Sequence, residues 1–246
     1  ANARDHSDWL GNYSGNAPAG KGSNVYRKFI SAGFSPIELW MLKYTERGVQ
    51  MVNIEELTDN LRSFIYAVLW YTGAPKVQIL AHGEGSILAQ ATLKKYNLYN
   101  LTHAAVYIAG SFHSSRRYSY IHALHGYPVH ANLAPGSDFL QELNLPDETP
   151  YNILEREIDG NFAVKYMTIY NGISEGDEFY PDNPDSPALL GAENFPFPWL
   201  DHDGLRCSND TSHIFIPFLS DPAVPYNSRF DCDSDGFMGE ESGGPD

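Results

Sequence analysis

The chain has 246 residues, 42% of them hydrophobic and many of them tyrosine or phenylalanine, enough apolar side chain to bury a substantial core as one domain. Acidic residues outnumber basic ones 31 to 16, and the formal net charge of −15 argues against a nucleic-acid partner and against adhesion to anionic lipid. No apolar run approaches the ~20 residues a membrane-spanning helix needs, and the segment from Ala1 to His6 lacks signal-peptide character.

In chain order, residues 36–42 read as a strand. Residues 54–71 carry apolar side chains at Leu57, Leu61, Phe64, Ile65, Val68 and Leu69, a spacing that predicts an amphipathic helix lying on a sheet. Thr72, Gly73, Ala74 and Pro75 stop it, and residues 77–80 follow as a short apolar strand covered on both faces. A second helix is expected to begin beside Ser86 and to run to about Tyr96. Residues 104–110 and 162–170 supply two more strands. Repeated strand, helix, strand order predicts an α/β fold, a mostly parallel sheet with helices on both faces. Residues 111–160 interrupt the rhythm with scattered Gly, Pro and aromatic residues, as either a lid over one end of the sheet or a variable surface excursion.

In such sheets function collects at the carboxyl ends of strands. Ala81-His82-Gly83-Glu84-Gly85 lies at one of these ends, where a strand turns sharply into a helix. A nucleophile elbow needs small residues on either side of its apex, which Ala81 and Gly85 provide. The helix after the turn aims free N–H groups at the reaction centre. A glycine-rich strand-to-helix turn also suits a dinucleotide, but Leu88 takes the third small position and residues 100–102 offer no acidic ribose ligand, so that reading is rejected.

The turn resembles that of the lipase and esterase branch of the α/β-hydrolase superfamily, whose pattern is Ala/Gly-His-Ser-x-Gly, with glycine at the nucleophile position. Other blocks share the resemblance in the order nucleophile, acid, histidine. Asn2 to Trp9 is similar to the segment after the oxyanion turn of the first catalytic-domain strand, which implies that the first strand lies upstream of Ala1. Gly136 to Asn144 resembles a recurrent lipase stretch. Residues 166–170 with Gly176 and Asp177 resemble the strand and loop that deliver the acid. Asp201 to Leu205, with an apolar helix over residues 213–219, resembles the loop that delivers the histidine. The relatives implied are small class 2 bacterial lipases and an extracellular polyhydroxybutyrate depolymerase.

By this resemblance His202 is the general base, Asp177 orients its imidazole, and the backbone N–H groups of Glu84 and Asn2 line an oxyanion hole. His202 is preferred to His213, which falls inside the following helix. Gly83 has no side-chain oxygen, and loss of a triad nucleophile costs about 10⁶ in turnover. Ser86 lies beyond the apex and is expected to cap backbone N–H groups rather than attack. The expectation is an ester hydrolase of Ser-His-Asp type left inactive at its nucleophile. The alternative is a noncatalytic binder on a hydrolase frame.

The hydrolase domain is expected over residues 1–220 and an acidic tail over 221–246. In the tail, Asp231, Asp233 and Asp235, then Gly236 and Glu240, place carboxylates as a shortened calcium loop would, which predicts a structural Ca²⁺ and no cofactor for catalysis. Cys207 and Cys232 bracket this region, where a disulfide suits an exported protein and two free thiols suit the cytosol. The expectations are secretion and an ester ligand, lipid or polyester. The aromatic residues Phe112, Tyr118, Tyr120, Tyr127, Phe195, Phe197 and Trp199 are candidate pocket walls.

Overall fold

The computed structural model describes residues 25–42, 54–152 and 163–220. Its sheet has four strands, β1 (Val77–His82), β2 (Thr102–Ile108), β3 (Lys165–Tyr170) and β4 (Glu193–Pro196), paired in sequence order and all parallel. Alternate residues of the two central strands feed two separate cores. Ala105, Tyr107 and Tyr166 face one, and Ala104, Val106, Ile108, Met167 and Ile169 face the other. A strand period of two therefore places helices on both sides, as the alternating sequence predicts.

The first core takes α2 (Ile54–Thr72), α3 (Glu84–Tyr96) and the excursion. In α3 every residue from Ser86 to Leu93 is buried, because the helix lies between the sheet, α2 and the excursion. Its one buried amide is satisfied: Gln90 accepts from the Tyr107 hydroxyl at 2.7 Å and donates to the Glu148 carbonyl at 2.8 Å. The second core takes α1 (Val25–Ser31), with a final helix pair at the end of the chain that carries a site residue.

Several elements differ from expectation. Residues 36–42 do not form a strand: Pro36–Glu38 is a single 3₁₀ turn, with Ser35 and Glu38 forming a capping box. Proline at the first position pre-sets helical φ, and the reciprocal cap satisfies the turn locally instead of by a ladder. The strand at residues 77–80 extends to His82 and is an edge among the described strands, partly exposed along its length rather than covered on both faces. The excursion, aperiodic in sequence, holds three short helices, α4 (Arg116–His125), α5 (Pro128–Asn132) and α6 (Asp138–Asn144). Local chemistry starts them: Ser115 caps α4 by accepting from Arg117 N, Pro128 opens α5, and Ser137 caps α6 by accepting from Leu140 N. Their apolar residues Tyr118, Val129, Leu133, Leu140 and Leu143 belong to the first core. Strand β4, too short and polar to show a period, pairs with β3 from Met167↔Glu193 to Tyr170↔Pro196.

Candidate active site

Three of the four parallel strands send a loop from their carboxyl ends to one point. Gly83 follows β1 directly, Asp177 lies in the loop after β3, and His202 follows β4 as the first residue of α7 (His202–Cys207). The turn at Gly83 is held to the sheet by a bond from its N–H to the Ile108 carbonyl at 2.8 Å. Its backbone stands at φ 58°, ψ −131°, a region that side chains rarely enter and that glycine adopts without strain. A Cβ added there would lie 3.1 Å from His202 Nε2 and 3.6 Å from Cε1, with nothing else among the described residues within 4 Å beyond its chain neighbours.

The other face of the imidazole is engaged. His202 Nδ1 donates to Asp177 Oδ2 at 2.8 Å, and the Asp177 side chain is fully buried while that of His202 is 12% exposed. Asp177 Oδ1 accepts from the Phe179 N–H at 2.9 Å, so both carboxylate oxygens have donors. This arrangement fixes Nδ1 as the protonated nitrogen and leaves Nε2 as the acceptor facing Gly83. The sequence-predicted acid, base and apex therefore converge. His213 sits inside α8 (Asn209–Phe218) and does not join them.

The histidine arrives on a helix start rather than on an open loop. Asp201 caps α7 by accepting from the Gly204 N–H at 2.7 Å, and a Cβ on Gly204 would press to 2.7 Å from that same Asp201 oxygen. Asp201 and Gly204 therefore set the direction of His202.

Two further residues position the site, and one of them, Asn171, escapes sequence reasoning. Asn171, buried immediately after β3, donates to the carbonyls of Leu200 at 2.6 Å and Pro198 at 3.3 Å, and accepts from the Ile173 N–H at 3.0 Å. It ties the acid loop to the segment that leads into His202. Gly176 passes so close to the Asn171 amide that any Cβ would overlap it. The second is His82, whose Nε2 donates to the His202 carbonyl at 2.9 Å and whose ring lies 4.5 Å from that of His202. Burial first, then the neighbouring charges of His202 and Arg206, hold its pKa well below the ordinary imidazole value, so it stays a neutral donor. The signal for Asn171 was its place at the carboxyl end of a strand. Phe179 adds an aromatic wall, its ring 4.4 Å from that of His202.

Glu84 is the first residue of α3, directly after the apex, where backbone N–H groups have no intrahelical acceptor. Its carboxylate meets His130 Nε2 of α5 at 3.4 Å, a contact that links the excursion to the apex. Ser86 does not cap the helix. It is fully buried, and its hydroxyl donates to the Ile108 carbonyl at 3.3 Å because the close approach of Gly110 leaves β2 against it. Among the candidate pocket walls, Phe112, Tyr118 and Phe197 are core residues, whereas Tyr120 and Trp199 are exposed. Asn2, Cys232, Asp231, Asp233, Asp235 and Glu240 lie outside the described residues, and Cys207 is buried in α7.

Solved structures of two lipases resemble this fold. The mature form of Bacillus licheniformis lipase BlEst2 superposes with a TM-score of 0.53 at 16% identity, over 69% of this chain and 75% of that one. Aspergillus fumigatus lipase B gives 0.62 at 15% identity, over 85% of this chain and 53% of that one. The chain has the α/β-hydrolase fold. It spans about half the length of the Aspergillus lipase and 41% of the propeptide form of BlEst2. Residues 11–115 match the family model for class 2 lipases, a span that includes Gly83 but neither Asp177 nor His202. No curated protein sequence matches the chain. No helix among the described residues is long and apolar enough to cross a membrane.

Proposed function

We propose that this α/β-hydrolase binds carboxylic esters, as a lipase, esterase or polyester depolymerase does, and that glycine at its apex leaves it without serine-type covalent turnover. The observation that carries the reading is His202, oriented by Asp177 with Nε2 directed at the side-chain position of residue 83. With a serine there, His202 takes the hydroxyl proton while the oxygen attacks the acyl carbon, the Glu84 N–H stabilises the oxyanion, and His202 then protonates the leaving alcohol. Glycine has no atom to attack. Replacement by Gly83→Ser tests the reading with short-chain nitrophenyl esters and hydroxybutyrate oligomers as substrates. Ester hydrolysis that depends on Asp177 and His202 supports it, and a folded but inactive variant removes it.

A noncatalytic ligand-binding protein on the same frame is the second reading, favoured by the missing apex oxygen alone. Ester binding without turnover in Gly83→Ser supports it. Secretion and a stabilising Ca²⁺ held by Asp231, Asp233, Asp235 and Glu240 complete the proposal. A melting temperature unchanged between excess Ca²⁺ and chelator removes the metal.

A further inference from the structure

We infer that the His202–Asp177 pair activates a water molecule in place of the missing side chain, giving the chain as it stands a slow hydrolysis of activated esters with no acyl-enzyme. This rests on the proposed ester site and goes beyond it, because it assigns an activity to the glycine form itself.

The geometry has three parts. First, Nε2 of His202 is a free acceptor: its partner nitrogen is committed to Asp177 at 2.8 Å, and Nε2 faces the apex. Second, among the described residues, His202 alone beyond the chain neighbours lies within 4 Å of the side-chain position of Gly83. Water cannot stand where a bonded Cβ would. It can rest in van der Waals contact with the glycine Cα and accept a position about 2.8 Å from Nε2, an ordinary hydrogen-bond length. Third, Glu84 at the start of α3 presents its N–H beside the same apex, so that a carbonyl oriented for attack has an oxyanion donor that does not depend on residue 83.

The step balances without a covalent enzyme intermediate. A water O–H bond breaks as its proton passes to His202 Nε2, and the water oxygen bonds to the acyl carbon, with Asp177 stabilising the imidazolium. The resulting tetrahedral oxyanion collapses by breaking the bond to the leaving oxygen, which takes the proton from His202. The products are the carboxylic acid and the alcohol, and the imidazole returns neutral. Because water is a weaker nucleophile than an elbow serine, the route favours aryl esters, whose leaving oxygen needs little assistance.

The test uses 4-nitrophenyl acetate with the full chain and three variants. In the unaltered chain the account expects steady turnover without a burst and without an acyl adduct in the intact mass, at a rate above the enhancement of about 10³ to 10⁴ over the uncatalysed reaction that oxyanion stabilisation and binding alone supply. His202→Gln should lower that rate by about 10² or more, the usual share of a general base. Gly83→Ala keeps the base but sets a methyl 3.1 Å from Nε2, between base and water, and should lower the rate at least about tenfold by shutting water out of hydrogen-bond reach. Gly83→Ser reports on the frame: its activity shows that the fold accepts a side chain at the apex. A rate in the unaltered chain that His202→Gln or Gly83→Ala leaves unchanged overturns the water route, as does a burst with an acyl group on His202. Activity in Gly83→Ser with none in the glycine form overturns the water route while leaving the ester site standing. Inactivity in both removes the hydrolytic reading of the site, and with it the water route.

Discussion

Nε2 of His202 lies 3.1 Å from the point at which a Cβ on Gly83 would stand. A base aimed at an apex that carries no nucleophile is the central relationship in this molecule, and it is held from both sides by groups outside the acid, base and apex.

The apex conformation makes the glycine stabilising. At φ 58° and ψ −131° any side chain is strained, and a strained backbone residue costs about 1–3 kcal/mol. Gly83→Ser should therefore lower the melting temperature, by about 2–4 °C for each kcal/mol in a chain of this size. Calorimetry of the two proteins checks this, and an equal or higher melting temperature for the serine form rules out a strained turn.

Asn171 should matter to catalysis without touching substrate. Asn171→Leu leaves the carbonyls of Pro198 and Leu200 without their donor and unties the acid loop from the base. An unsatisfied buried polar group costs about 1–3 kcal/mol. In the Gly83→Ser background the expected result is a fall in kcat of about tenfold or more with KM little changed, since misplaced groups cost turnover more than binding. An unaltered kcat in Asn171→Leu would mean that the tether is structural only.

The His113–Glu148 pair predicts a pH dependence of stability. His113 Nε2 meets Glu148 Oε1 at 2.8 Å, and His113 Nδ1 donates to the Ser186 carbonyl at 3.1 Å, so the pair joins three segments near the excursion. The hydrogen bond to Glu148 raises the His113 pKa above its ordinary value, against partial burial. A raised folded pKa gives stability that is fully present below the unfolded histidine value and is lost as pH rises through the folded one. Urea unfolding from about pH 6 to 8 should show this decline, and Glu148→Gln should flatten it. The same slope in both proteins contradicts the assignment.

Lys28 predicts the opposite slope at higher pH. Its ammonium donates to the Cys207 carbonyl, Asn209 and Ser212, where it secures the end of α7, and burial lowers its pKa to about 8 despite the favourable charges of Cys207 and Asp210. Between that value and the unfolded one the unfolded chain binds more protons, so this residue makes stability rise with pH. The difference between the unaltered chain and Lys28→Met, followed from pH 7 to 10, isolates its share from that of the titrating tyrosines. A difference that is independent of pH contradicts the lowered value.

How far these features were legible depended on whether they were local. The helix from Ile54 and the strand before Gly83 follow from periodicity, and the pairing of Asp177 with His202 follows from the resemblance to lipase motifs. The excursion was opaque because its helices have five to ten residues and rest on Ser115, Pro128 and Ser137 rather than on a sustained apolar stripe. Strand β4 was opaque because its pairing with β3 is set by tertiary context. Asn171 was not seen and His82 only in part, since what they do depends on carbonyls 27 to 120 residues away in sequence. Residues 36–42 show the reverse failure, an apolar run with strand-like composition that Pro36 and the Ser35–Glu38 box turn into a 3₁₀ start.

The most direct measurement is the rate of aryl-ester hydrolysis by Gly83→Ser, compared with the same variant carrying His202→Gln and, separately, Asp177→Asn. The account predicts a burst followed by turnover in the first protein, with a loss of about 10³-fold or more when the base or its orienting acid is removed. A folded Gly83→Ser protein that hydrolyses no ester, or whose activity survives the loss of His202, contradicts it.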